Sequence, residues 1–154
     1  MESLNSSDLS QKELLAVARL KTVEECDQFA ANLASNTKLV QAATKRSVEI
    51  QLLSHTNVNQ VVRDVWEVLY AYEEVLFIKH GKRLKANYTR RAIAKHGEIG
   101  AVERIVCQRS DDDDGFARLV AAGLPGKTFE AVVVKYPEHF SEQAIAQALG
   151  KLIA

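Results

Sequence analysis

The chain has 154 residues, 47% hydrophobic and 26% charged, with twenty Lys/Arg balanced by twenty Asp/Glu. That apolar content excludes an extended disordered chain, and no run of about eighteen uncharged apolar residues is available to cross a membrane. Two prolines, seven glycines and short β-branched runs favour helices. The expectation is an all-α protein, a compact single-domain helical bundle of six to eight helices spanning 1–154, with 1–9 flexible.

Met1 to Ser7 shows no basic segment leading into an apolar core, so no signal peptide is read. Ser10 with Glu13 and Thr22 with Glu25 form two capping boxes, each a hydroxyl with Glu three positions on. After the second, Val23, Cys26, Phe29, Ala30 and Leu33 repeat at helical spacing. Asn36-Thr37 starts a third segment that runs through Leu39, Val40, Ala43 and Val48 to Leu52. The longest amphipathic stretch follows Asn57, a helix from about Val58 to His80, with Trp66, Leu69, Tyr72 and Leu76 expected at the centre of the core.

Lys79-His80-Gly81 and Lys95-His96-Gly97 read as two helix ends of one kind: a basic residue near the negative end of the dipole, then Gly at the left-handed position. A helix over about 89–95 and another over 98–106 are therefore expected. Asp111 to Asp114 reads as an acidic loop ending in a helix cap, and Gly123-Leu124-Pro125-Gly126 as a turn. Val132-Val133-Val134 has strand character but no second strand to pair with, so Phe129 to Val134 is read as buried helix that stops before Pro137. Ser141 should cap the last helix. Cys26 and Cys107 form no CxxC, as isolated thiols of a reducing compartment do, and the cytoplasm is the expected location.

Charge is uneven behind the overall balance. Residues 1–60 hold six basic and seven acidic groups, 61–110 ten and six, and 111–154 four and seven, giving −1, +4 and −3. Seven of the twenty cations fall within 79–95, where no acid occurs. Such a local field attracts phosphate or an acidic partner. The candidate nucleic-acid-binding residues are Lys82, Arg83, Lys85, Arg90, Arg91 and Lys95, with Tyr88 placed to stack on a base. DNA or RNA is the partner this favours. Pairing of these cations with Glu73, Glu74, Glu98 or the aspartate run is the competing reading, as is a homo-oligomer in which the window meets the Asp111–Asp114 loop of a second copy.

Other chemistry fits less well. With Gly115 as the sixth position of an EF-hand loop, the twelfth is Ala121 and the closing carboxylate is missing. The four histidines lie at no zinc-ligand spacing, and no phosphate or dinucleotide loop occurs, so no metal or cofactor is expected. A helix-turn-helix at 89–108 would bury Glu98 and Glu103, and one from Gly115 puts Leu119 where a small residue is needed. Arg91 and His96, separated by four residues, and Arg90 and His96, separated by five, resemble the Arg-x(4–6)-His motif of HEPN-type ribonucleases, which are small helical bundles. That resemblance implies Arg stabilising a charged phosphorane and His moving a proton, although Ala92 stands where the family usually carries Asn, Asp or His. More broadly, Ala71-Tyr72-Glu73, His80-Gly81-Lys82-Arg83, Phe129-Glu130-Ala131 and Tyr136-Pro137-Glu138-His139-Phe140 resemble segments of small bacterial all-helical proteins. This implies a bacterial origin and an intact single domain, and no site.

Overall fold

Side-chain caps set most of the helix starts. In the computed structural model, which describes residues 9–56, 58–108, 114–124 and 126–153, helix α1 (Gln11–Ala18) opens with both halves of the Ser10 capping box: the Glu13 amide donates to Ser10 Oγ at 3.1 Å and the Ser10 amide to Glu13 Oε1 at 2.9 Å. At α2 (Val23–Asn32) the box is shifted. Thr22 Oγ1 accepts from the Glu25 amide at 3.1 Å, but the Glu25 carboxylate takes the Lys21 amide at 2.7 Å, one residue before the cap. Asn36 caps α3 (Thr37–Leu52), accepting from the Leu39 amide. Arg46 on α3 donates to the Leu20 carbonyl at 2.9 Å, and α1 and α2 both pack on α3.

These three helices make one compact unit, which ends at Leu53; a second begins at Ser54. A 3₁₀ turn, Leu53–His55, lies at the division. The second unit holds α4 (Gln60–His80), α5 (Asn87–Gln108), α6 (Asp114–Ala121), α7 (Phe129–Lys135) and α8 (Glu142–Ile153). Helix α4 packs against α5, α6 and α7, and α8 against α5 and α7. The described residues contain helices and no strand, so the fold is all-α. None of these helices is long and apolar enough to cross a membrane.

Helix α4 starts two residues later than its periodicity suggests. Asn59 Oδ1 accepts from the Val62 amide at 3.0 Å, which leaves Val58 outside the helix and exposed. Its buried face carries Val65, Val68, Leu69, Ala71 and Leu76. Trp66 and Tyr72 are only half-buried, which corrects the expectation that they sit at the centre of the core. Burying five or six turns of helix on one side leaves flanking positions at the rim. The Val132–Val134 run is helical within α7, with Thr128 Oγ1 accepting from the Ala131 amide, and Ser141 Oγ caps α8 by accepting from the Ala144 amide. On α4, Asp64 accepts from Tyr136 Oη at 2.7 Å, Lys135 Nζ at 3.1 Å and Gln60. Burial pushes its carboxyl up, but these three donors outweigh that and hold it below the usual aspartate value.

Residues 111–113 of the acidic run, Asn57, Pro125 and the segment 1–8 lie outside the described residues, as do the side chains of 114 and 115. The Asp111–Asp114 contact surface expected for a self-association therefore falls there.

Candidate nucleic-acid interface

The basic window is built on the connection between α4 and α5. Gly81, at φ 71° and ψ 8°, ends α4 in the left-handed conformation, its amide bonded to the Phe77 carbonyl at 2.8 Å. The chain then runs without helix through Lys82, Arg83, Leu84 and Lys85 before α5 begins at Asn87. Ala86 stands at the cap position and has no acceptor of its own. Glu73 on α4 anchors this start instead, accepting from the Ala86 amide at 2.8 Å.

Glu73 also takes Arg90. Arg90 Nε reaches Glu73 Oε2 and Nη2 reaches Oε1, both at 2.7 Å, a planar fork matched to a carboxylate. The Glu73 side chain is 8% exposed and that of Arg90 28%. The carboxylate holds the Arg90 guanidinium proton above its usual range. Next along α4, Glu74, 3% exposed, pairs with Arg83, whose guanidinium also lies 4.4 Å from the centre of the Phe77 ring. Arg83 and Arg90 are thus neutralised within the fold. The pairing with Glu73 and Glu74 weighed from the sequence accounts for these two guanidiniums.

The remaining five cations of the window face outward, one of them Lys79 in the last turn of α4. Lys82, Lys85, Arg91 and Lys95 are exposed, and none of them forms an ion pair with a described residue. Tyr88, Arg91 and Lys95 are spaced i, i+3, i+7, which puts them within about 60° of arc on one face of α5. Tyr88 is 66% exposed. Arg90 lies about 100° from Arg91 and turns toward α4, so two adjacent arginines have opposite fates.

At Gly97 the helix breaks: φ 75°, ψ 171°, a conformation essentially confined to glycine. The two helical segments expected around it are present on either side, merged as α5. His96, just before the break, is half-buried, with its Cβ 3.1 Å from where a side chain at Gly100 would start. Burial, then the charges of Arg104 and Lys95, push its imidazole below the usual histidine value. Arg91 and His96 are five positions apart, about 140° around an ideal helix.

Two features were not legible from the sequence. The first is a cavity of about 480 Å³ beneath the first turn of α5. Its walls come from α4, the far end of α5, α6 and α7, and Lys85 and Tyr88 lie on its rim. Helices separated by tens of residues contribute to it, so no local pattern announces it. The second is an aromatic cluster. His55 stacks on Trp66 with centroids 4.9 Å apart and shares a 2.7 Å hydrogen bond with Tyr70 Oη, while the Arg90 guanidinium lies 5.9 Å from the Trp66 ring. Burial raises the Tyr70 phenol above its usual range; Arg90 opposes this and Glu73 adds to it. Trp66 therefore works at the rim of the fold as a platform rather than as core filling. No protein-family model matches this chain, and no curated protein or solved structure is significantly similar to it.

Proposed function

We propose that this protein binds nucleic acid through the phosphates, using Lys82, Lys85, Arg91 and Lys95, with Tyr88 as a stacking surface. Arg83 and Arg90 hold the interface in place and do not contact phosphate. What carries the reading is that four exposed cations without an ion-pair partner among the described residues lie beside an exposed tyrosine on and just before one helix. Cations placed this way gain affinity by releasing counterions, and an aromatic ring among them adds sequence-tolerant stacking.

The test is fluorescence anisotropy with labelled oligonucleotides over a salt series. For four contacts to a single strand, the logarithm of affinity should fall with the logarithm of salt at a slope of about −3. The double variant Arg91→Ala/Lys95→Ala should make that slope shallower by about 1.4. Binding that ignores both salt and the double substitution would overturn the proposal.

A further inference from the structure

We infer that the nucleic acid is single-stranded, and that the cavity under Tyr88 receives one unstacked base from it. This rests on the phosphate-binding reading above and names its substrate class.

The cavity and the cationic stripe share residues. Lys85 and Tyr88 line the cavity rim and also belong to the exposed basic surface, so a backbone lying on one passes the mouth of the other. Its volume, about 480 Å³, is within the range of clefts that take a small organic ligand, roughly 300–1,000 Å³. Its walls have the chemistry of a nucleobase site. Tyr72, Phe116 and Phe129 offer flat apolar surface, while Asn87 and Gln108 carry amides, each with donor and acceptor ends suited to the polar edge of a base. A base has this same division, apolar faces and a polar edge. In a duplex both are taken up by stacking and pairing, so only a single strand can present a base to the cavity without first being opened.

The proposal makes three comparisons informative: one short mixed-sequence oligonucleotide as a single strand, as a duplex, and as a single strand with abasic positions. The wild-type chain should bind the single strand about tenfold more tightly than either of the others. Tyr88→Ala, at an exposed position that does not threaten folding, should remove most of that difference and leave the salt slope nearly unchanged. Thr89→Trp, which narrows the mouth from a half-exposed position, should do the same. Equal affinity for all three oligonucleotides, with a steep salt dependence, would overturn base insertion and leave phosphate binding standing. Failure to bind any of them at low salt would overturn both.

Discussion

Glu73 accepts three hydrogen bonds, two from the Arg90 fork and one from the Ala86 amide, while almost all of its side chain is out of water. Replacing it with Gln leaves a half-buried guanidinium without a counter-charge and one acceptor oxygen where the Arg90 fork and the Ala86 amide used two. Breaking a buried pair costs about 3–5 kcal/mol, and the partial exposure of Arg90 places Glu73→Gln lower, at about 2–3 kcal/mol. Chemical denaturation should show this as a lowered midpoint, and a change below about 0.5 kcal/mol would mean the pair is not structural. At this scale the sequence identifies the residues that pair, Glu73 and Glu74 among them, but not which cation goes to which carboxylate. Glu73, Glu74, Arg83 and Arg90 were all visible as candidates, but i, i+9 and i, i+17 pairings arise from how the chain returns along α4, which no local spacing encodes. Trp66 was misplaced for a related reason: helical periodicity identifies a broad apolar face, and only packing decides which residues lie at its edge.

Elements were more legible than contacts, because caps act locally. Ser10, Thr22, Asn36, Thr128 and Ser141 each accept a backbone amide three residues on, as their residue types suggested. The late start of α4 has the same origin, since both 57 and 59 are Asn and the second is the one that caps. The break within α5 depends on Gly97. A Cβ there would meet no atom within 4 Å, so the cost of a side chain comes from backbone conformation alone. Gly97→Ala should destabilise by about 1–3 kcal/mol, read as a drop in the unfolding midpoint. A neutral result would mean that α5 can run straight through the site, and the half-buried placement of His96 would then owe nothing to the break.

For the whole molecule, everything proposed about binding is carried by residues of the second unit: the α4–α5 connection, the Tyr88–Arg91–Lys95 stripe and the cavity. Charge follows the same division, since the only net positive third of the chain, 61–110, lies within that unit. The unit also has an apolar interior of its own helices, with Val65, Leu69, Val102, Val133, Ala144 and Ala148 at 0–1% exposure. A fragment beginning at Ser54 should therefore fold by itself, with helical circular dichroism and a single cooperative melt. It should bind the single-stranded oligonucleotide with the salt slope of the full chain, because all four cations of the proposed interface are retained. A fragment that melts without cooperativity would show that α1–α3 are needed to complete its fold. One that folds but has lost the slope would place part of the phosphate contact in the first unit, on cations such as Lys38 and Lys45 that the sequence pattern gave no reason to choose.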